Sequence, residues 1–421
     1  MARISRVVAR LKGEPIADLP IAEYVNQELQ KLGVEWRERL LPPLATLRLF
    51  LIQILNGNCA IAALRQLGGV DFAPSSYCEA RGRLPLILLQ SLLQWVREQA
   101  EEHVAATARV AGRIFVADGS TYSMADTPEL AAHFDLPPGT RAGVGYPAGK
   151  LMGLLDLATG MFTSLLALPL FEHDARSVIG VHEMLCAGDI LLGDRAVCSF
   201  AHVALLAGRG VFACLRLHQR RKNMTRGVQR WDKPAEPPAW MDARQYALLP
   251  EFIEVRIVKY TVAHKGFRTR TVLVATTLMN TTIWPDSKIA QLYGQRWTIE
   301  TCFDHLKTTM NMNVLRCKTV EGVMKELAMY LTAYNLVRLA MLQAAARQHT
   351  NVWRISFVDA MRCLAARLIG LAGILRLIVN PKRPGRHQLR TIRRRPKEYD
   401  LLVRPRRQAE AQAARNQAVK N

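Results

Sequence analysis

Two short apolar runs, RIFVAD (Arg113–Asp118) and DILLGD (Asp189–Asp194), decide the fold of this chain. Each run has the length of a buried strand, and each ends in an aspartate. Between them, LMGLLDLATGMFTSLLALPL (Leu151–Leu170) predicts two strands joined by a tight turn at Thr159–Gly160. Strand-like and helix-like segments continue to alternate after the second run, so the sequence predicts an α/β domain.

The segments around the second run complete the order of this domain. The pattern predicts helices over Asp174–Cys186 and Phe200–Leu206 and a strand over Gly210–Leu217. The resulting order, β-β-β-α-β-α-β, is the one that a ribonuclease-H-like α/β domain requires.

The sequence on the C-terminal side of this order is less regular. From about His218 to Thr282 it is first polar and proline-containing and then strand-like, which predicts a β-rich insertion at about 218–282 in a domain over residues 111–345. Residues 346–421 are predicted to form helices and a basic tail. The tail, Pro381–Asn421, has thirteen Lys or Arg residues against three acidic ones, and we expect it to be extended or partly disordered without a polyanion.

Residues 1–110 are predicted to form a helical domain. Apolar residues recur at intervals of three and four positions from Ile21 to Glu98. Within this region, FAPSSYCEARGRL (Phe72–Leu84) predicts a short basic helix with Ser75 or Ser76 as its N-cap. A compact DNA-binding module and a plain helical scaffold both fit this pattern.

The charge of the chain indicates a polyanionic partner. Its 421 residues include 57 Lys or Arg and 35 Asp or Glu, which gives a net charge of +22. Nucleic acid is the first candidate, and charge alone leaves both DNA and RNA open. A protein of the membrane surface is the weaker alternative, because no lipidation signal accompanies the charge.

Other sequence features indicate a protein of a reducing compartment. The eight cysteines form no C-x2-C pair, which argues against a zinc site and a disulfide framework. The N-terminus has no apolar region of a secretory signal. Charged residues interrupt the apolar segments Ala328–Leu342 and Phe357–Val379, so we predict core helices there rather than membrane spans. We therefore expect a soluble, cytoplasmic protein.

Three acidic residues are candidates for a catalytic site. Asp118 and Asp194 end neighbouring predicted strands, and Glu300 lies on a later helix that is predicted to pack across them. Cleavage of a phosphodiester with two metal ions needs carboxylates that bridge a pair of Mg²⁺ ions roughly 4 Å apart. A single acid at a strand end is more often a turn or N-cap residue. Three such acids at the right points of one topology favour catalysis.

The helix that carries Glu300 has further functional candidates on the same face. In LYGQRWTIETCFDHLKTTM (Leu292–Met310), the spacing Y-x2-R-x3-E-x6-K brings Tyr293, Arg296, Glu300 and Lys307 into an arc of roughly 60° on a regular α-helix. The carboxylate is suited to a divalent cation, and its three neighbours are suited to phosphate oxygens. The simpler interpretation is a solvated helix face with an ion pair between Arg296 and Glu300.

Four motifs, which follow one another along the chain, resemble those of bacterial insertion-sequence transposases of the DDE type, in the family named after insertion sequence four. DGSTYSMADTPE resembles the block of the first aspartate, and GDRAV, with GVFACLRLHQRRK beyond it, resembles the second. YGQRWTIETCFDHLK resembles the Y-R-E-K signature, and RTIRRRPKEYDLLVRPR resembles the basic C-terminal signature. The resemblance extends over most of the chain from about Gly112 onward.

The resemblance implies a role for each candidate residue. Asp118, Asp194 and Glu300 would be the catalytic metal ligands. They would bind two Mg²⁺ ions, for which Mn²⁺ could substitute. Tyr293, Arg296 and Lys307 would bind phosphates of the transposon end. The tryptophans that could stack on a flipped base are Trp231, Trp240 and Trp297; for each of them an ordinary packing role is the alternative.

The resemblance also implies a reaction and partners. A metal-activated water would cleave the DNA, and the freed 3′-hydroxyl would then attack target DNA, with no covalent bond between protein and DNA. The partners would be transposon ends, target DNA and a second copy of the chain in a homodimer, at the bacterial nucleoid. A catalytically inactive, sequence-specific DNA-binding regulator derived from a transposase is the alternative from another class. An RNA-binding structural protein would explain the charge but not the ordered acids.

Overall fold

Eight strands of the described chain form one mixed sheet. They are β1 (Ile114–Ser123), β2 (Ala148–Asp156), β3 (Phe162–Pro169), β4 (Ile190–Gly193), β5 (Phe212–Arg216), β6 (Gly227–Asp232), β7 (Phe252–Val262) and β8 (Arg270–Thr276). Their spatial order is β3-β2-β1-β4-β5-β8-β7-β6. This computed structural model describes residues 19–36, 40–104, 112–137, 145–172, 174–218, 224–262, 270–368, 377–381 and 405–418.

The five strands predicted before the insertion are present in the predicted chain order. β1 pairs with the antiparallel strand β2 on one side and with the parallel strand β4 on the other. β5 continues the parallel pairing beyond β4, and β3 pairs with β2. One detail of the prediction is wrong: β1 does not end at Asp118, because its residues as far as Ser123 still pair with β2. What ends near Asp118 is the pairing with β4, whose last partner is Val116.

The segment for which a β-rich insertion is predicted contains β6, β7 and β8. These strands form an antiparallel unit, and β8 also pairs with β5 in antiparallel orientation. The segment therefore lengthens the central sheet by three strands at the β5 edge.

Helices cover both faces of the sheet. They are α1 (Ile21–Lys31), α2 (Pro43–Leu55), α3 (Ile61–Gly68), α4 (Pro74–Arg83), α5 (Leu86–Ala100), α6 (Pro128–Phe134), α7 (Asp174–Ser177), α8 (Ile179–His182), α9 (Phe200–Gly208), α10 (Ala243–Ala247), α11 (Asp286–Gly294), α12 (Thr298–Asp304), α13 (Val320–Arg347), α14 (Phe357–Leu368) and α15 (Arg406–Ala418). Three-residue 3₁₀ turns lie at Glu101–His103, Gln295–Trp297 and Val352–Arg354, and a π-helical turn lies at His305–Thr309.

Two helix predictions need correction. The single helix predicted over Asp174–Cys186 is two short helices, α7 and α8. The predicted basic helix is α4, but its N-cap is Ala73, which makes no side-chain capping bond, rather than Ser75 or Ser76. Pro74 occupies the first position of the helix. Its fixed φ suits that position and it has no N–H to cap, so the helix begins one residue before the serines.

Alternate residues of the strands feed two cores on opposite faces of the sheet. Val116 and Leu192 belong to a core that also includes the N-terminal helices α1–α5 and the long helix α13. Phe115 and Leu191 belong to the other core, with α8, α9 and strands β6 and β7. This division follows from the two-residue period of a strand, and it assigns Asp118 and Asp194 to the face of Val116 and Leu192.

The long helix α13 is buried along most of its length and contacts α2, α5 and α14. Within the described residues, no helix is both long and apolar enough to cross a lipid bilayer. Of the predicted helix Phe357–Val379, α14 accounts for the first part, and residues 369–376 lie outside the described chain. Of the predicted basic tail, only residues 381 and 405–418 are described, and the latter contain α15 instead of extended chain.

Candidate active site

The register of the sheet brings the first two acidic candidates next to each other. Val116 of β1 is paired with Leu192 of β4. Asp118 follows Val116 by two residues on β1, and Asp194 follows Leu192 by two residues, directly after the end of β4. Continuation of the two-residue period brings both to the same face at matching positions. The Oδ1 atom of Asp118 accepts a hydrogen bond from the N–H of Gly119 at 2.8 Å, and Oδ1 of Asp194 accepts one from the N–H of Ala196 at 2.8 Å.

The third candidate, Glu300, lies on the predicted helix. The chain is helical there from Asp286 to Thr309, but it does not form one regular α-helix. It changes to 3₁₀ winding at Gln295–Trp297, returns to α at Thr298 and changes to π at His305. Because 3₁₀ turns are tighter and π turns wider than α turns, the four signature residues do not share one uniform face. Tyr293 is buried, whereas the side chain of Glu300 is 44% exposed.

Arg296 connects two of the three acids. Its Nη1 lies 3.0 Å from Oδ2 of Asp118, and its Nη2 lies 2.9 Å from Oε1 of Glu300. The guanidinium group is itself buried. A single cation therefore holds the carboxylates of β1 and α12 together. The predicted ion pair between Arg296 and Glu300 is present, although Arg296 is buried and does not lie on a solvated helix face.

The electrostatics of Asp118 indicate crowded negative charge. Burial raises the pKa of the Asp118 carboxyl from 3.8 to about 6, and the neighbouring carboxylates of Asp194 and Glu300 add to the increase. Arg296 and the N–H of Gly119 act in the opposite direction without cancelling it. The ionised carboxyl of Asp118 is thus only partly compensated by the chain, as expected where a further cation binds.

In the described part of the chain, no three His, Cys, Asp or Glu side chains are grouped closely enough to form a ready-made ligand set for a metal. Asp118 and Glu300 meet through Arg296, and Asp194 is close enough to influence the pKa of Asp118. The structure thus places the three acids in one region, with the arginine between two of them.

An open pocket of about 490 Å³ lies beside Asp118 and Glu300. It is lined by Asp118, Gly119, Ser120, Glu300, Phe303, Asp304, Lys307, Thr308 and Asn313. The Nζ of Lys307 donates a hydrogen bond to Oγ of Ser120 at 3.1 Å. A cation, two hydroxyl groups and an amide therefore share the pocket with the acids, which suits an anionic ligand as well as a metal.

Four polar residues of this pocket are absent from the sequence prediction. Ser120 follows Asp118 at the two-residue period of the strand, and Asp304 and Thr308 continue the helical spacing from Glu300, so local patterns could have found these three. Asn313 lies in the loop after the π-turn. Its place depends on long-range pairing with β1, which no local pattern shows.

The remaining predicted residues differ in their access to a ligand. The hydroxyl of Tyr293 is buried and has no hydrogen-bond partner in the described chain, and burial raises its pKa. Trp231 is buried in the core, and Trp240 stacks on His202 with ring centroids 4.6 Å apart. Trp297 is 50% exposed beside the site, and the guanidinium of Arg296 lies 4.7 Å from the centre of its ring. Of the three tryptophans, Trp297 is thus the most exposed.

Comparison with known proteins identifies the family. Residues 111–336 match the model of the transposase DDE domain. The chain is 24% identical over 320 residues to the transposase InsG for insertion sequence element IS4 of Escherichia coli (strain K12), an alignment that covers 72% of this chain and 69% of that protein. A cryo-EM structure of the piggyBac transposase synaptic complex with hairpin DNA is similar at a TM-score of 0.43 and 8% identity, over 88% of this chain and 80% of that one. The match to the DDE domain covers more than half of the chain, which therefore belongs to the DDE transposases, in the family of insertion sequence four.

Proposed function

We propose that this protein is an active DNA transposase, which binds the terminal inverted repeats of its element, cleaves DNA with two divalent metal ions and joins the 3′-hydroxyl ends to target DNA. The observation that carries the proposal is that Arg296 joins Asp118 and Glu300 at one pocket, with Asp194 close enough to raise the pKa of Asp118. The order and pairing of β1–β5 support a ribonuclease-H-like fold for the catalytic domain, over residues 111–345.

The donors present fit a hard divalent cation such as Mg²⁺ or Mn²⁺. All three candidates offer carboxylate oxygens, which these ions prefer. The raised pKa of Asp118 supports the fit, because a bound cation would supply the compensation that the chain leaves incomplete. When bound, such ions activate the attacking oxygen and stabilise the leaving oxygen.

The residues of the chain have their own tasks in this reaction. Arg296 keeps two like-charged carboxylates close together, and it is placed to exchange one of them for a DNA phosphate. Lys307, in the pocket wall, is suited to bind the phosphate next to the cleaved bond. Tyr293 has a buried hydroxyl and would support the position of Arg296 and Lys307 through packing. Trp297 is the candidate for stacking on an unpaired base.

The rest of the chain would bind DNA outside the pocket. Residues 1–110 are proposed to read the transposon ends, and residues 346–421 to add contacts through the basic tail. Two copies would pair the two ends in a synaptic complex at the nucleoid. Deletion after Asn380 should weaken binding to all duplexes, most strongly at low salt, while the preference for transposon ends remains. Loss of that preference alone would show that the tail reads sequence.

The test is cleavage of supercoiled plasmid that carries the inverted repeats from the flanks of the gene. We expect nicking and strand joining with Mg²⁺ or Mn²⁺ and none with EDTA. Binding to the repeats without cleavage in either metal would instead support the alternative, an inactive DNA-binding regulator. Equal binding to repeats and random DNA would contradict both.

A further inference from the structure

The loop between the π-turn and α13 forms one wall of the pocket and is anchored to the strand that carries Asp118. The N–H of Ser123, the last residue of β1, donates to the carbonyl oxygen of Asn313 at 2.9 Å. The N–H of Leu315 returns a bond of 2.9 Å to the carbonyl oxygen of Ser123. This pairing directs Asn313 to the pocket, which it lines together with Asp118 and Lys307.

The C-terminal part of this loop is bound by one buried carboxylate. Glu326 of α13 is completely buried. Its Oε2 accepts hydrogen bonds from the N–H of Cys317 at 2.9 Å and of Arg316 at 3.1 Å, and Oε1 accepts a further bond from the N–H of Arg316 at 3.1 Å. Backbone donors satisfy this carboxylate, so its position and that of the loop are fixed together.

The N-terminal helical region supplies a further donor. Nδ2 of Asn58, which follows α2, donates to Oε1 of Glu326 at 2.6 Å. Asn58 is buried and has a φ of +52°, a conformation that asparagine tolerates better than most residues. The carbonyl oxygen of its neighbour Gly57 accepts a hydrogen bond of 3.1 Å from Nδ2 of Asn311, at the start of the loop. Residues 57–58 therefore contact the first residues of the loop directly and the last ones through Glu326.

We propose that Asn58 and Glu326 form a positioning latch, which fixes the loop of residues 311–317 and thereby places Asn313 in the wall of the active pocket. Neither residue lines the pocket, so both act through the loop. The helical N-terminal region then completes the catalytic site, besides any role in binding DNA. The effect of the latch on cleavage rests on the proposed transposase activity, whereas its effect on the loop does not.

Exchange of donor and acceptor across the pair tests this proposal. Asn58→Asp places two carboxylates against each other and breaks the pair. Glu326→Gln keeps the pair only when the Asn58 amide turns over, so that its Oδ1 accepts from the new N–H, and it leaves one acceptor oxygen instead of two at position 326. In the double variant, the new amide at position 326 can donate through Nε2 to the new carboxylate at position 58. Its Oε1 can still accept from the N–H groups of Arg316 and Cys317. If each change only destabilised the fold, the losses of loop protection in the two single variants would add up in the double variant. If the two residues act as a latch, the double variant should recover loop protection.

Two readouts separate the latch from the catalytic proposal. Hydrogen exchange of the amides of residues 313–319 should become faster in Asn58→Asp and return towards the wild-type rate in the double variant. Plasmid cleavage should fall by at least about tenfold in Asn58→Asp, with end binding changed less than about threefold, because a small misplacement at a site lowers the rate more than the affinity. If the wild type does not cleave DNA at all, the proposed function fails, and the exchange pattern still tests the latch.

Lys325 provides the matched control. It is the buried neighbour of Glu326 on α13. Its Nζ donates to the carbonyl oxygen of Gly82 at 2.5 Å and lies 2.7 Å from Oε1 of Glu321, and both of these partners lie outside the loop. Lys325→Met should leave the exchange of residues 313–319 unchanged. Asn58→Gly, which keeps the positive φ and removes only the amide, gives a milder variant if Glu326→Gln fails to fold. Additive single effects, or an equal loss of loop protection in Lys325→Met, would overturn the proposal.

Discussion

Arg338 and Arg296 are both almost completely buried, and each lies over the ring of a tryptophan, yet their partners differ. Arg338 on α13 is 1% exposed, donates to the carbonyl oxygen of Thr159 through Nε and Nη2, and lies 4.3 Å from the centre of the Trp353 ring. Arg296 is 6% exposed and donates to the two carboxylates of the candidate site.

The difference lies in what could replace each arginine. In the described chain, the carbonyl oxygen of Thr159 has no charged partner other than Arg338. Arg338 therefore stabilises the turn between β2 and β3, in which Thr159 lies. A Cβ on Gly160 would collide with its guanidinium group, which shows how closely the two are packed. The carboxylates bonded to Arg296 border an open pocket, and a divalent ion or a phosphate can compete for either side of that ion pair. Burial of an arginine therefore does not by itself indicate a function. Partners that a metal ion or a phosphate can replace do indicate one.

The largest expected effect is loss of cleavage in Glu300→Gln. The variant keeps the size of the side chain but removes a carboxylate that we propose as a metal ligand. Cleavage of end-bearing plasmid in Mg²⁺ should fall on the order of a thousandfold or more. Binding of end duplexes in Ca²⁺ should stay within about threefold of wild type, since we propose that residues 1–110 read the repeats. Cleavage by this variant at a rate close to wild type would remove Glu300 from the site.

The second effect tests the comparison itself. Arg338→Met should lower the free energy of unfolding by about 2–3 kcal/mol, because the carbonyl of Thr159 is left buried without a donor. Arg296→Met should cost less stability, since Glu300 is partly solvated, but should abolish cleavage. Thermal unfolding and plasmid cleavage measured on both variants give a two-by-two comparison. Equal stability loss with equal activity loss would mean that the two arginines have the same kind of role.

How much of this site the sequence predicts depends on the range of the contacts. Asp118 and Asp194 could be predicted as neighbours because both end short apolar runs, and parallel pairing then aligns them. The burial of Tyr293 could not be predicted, since it depends on the packing of α11 against the distant strands β5 and β7. Asn313 and Glu326 could not be predicted either, because their partners are remote in sequence.

The same distinction applies to the fold. Strands β1–β5 were predictable from apolar runs of strand length. That β8 joins the edge of β5 was not, because antiparallel pairing over a long connection leaves no local signal. Likewise, the end of β1 at Ser123 depends on its partner β2, since GSTYS is not an apolar run.

The third effect follows from the pKa of Asp118. The folded-state pKa, about 6, lies above the ordinary value of 3.8, so the folded chain binds this proton more tightly and ionisation destabilises the fold. The penalty is absent below about pH 4, grows between about pH 4 and 6, and is complete above that range.

Asp118→Asn should therefore be more stable than wild type at about pH 7, by on the order of 3 kcal/mol at most, and similar to it below about pH 4. Thermal unfolding from about pH 4 to 8 in EDTA measures this. Mg²⁺ should then raise the melting temperature of the wild type and leave that of the variant unchanged. A stability difference that grows as the pH falls would contradict the sign of the shift.

The smallest effect concerns Lys307, the pocket cation that donates to the hydroxyl of Ser120. If it contacts a phosphate, Lys307→Ala should weaken binding of end duplexes and reduce the slope of log K against log salt by about one charge. Lys288→Ala is the matched control, because Lys288 lies on α11 of the same helical segment and bonds instead to the carbonyl oxygen of Ile283 at 3.0 Å. Removal of Lys288 should leave the slope unchanged. Equal slopes for Lys307→Ala and wild type would take Lys307 out of the DNA interface and leave it a structural partner of Ser120, which would place it with Arg338 rather than with Arg296.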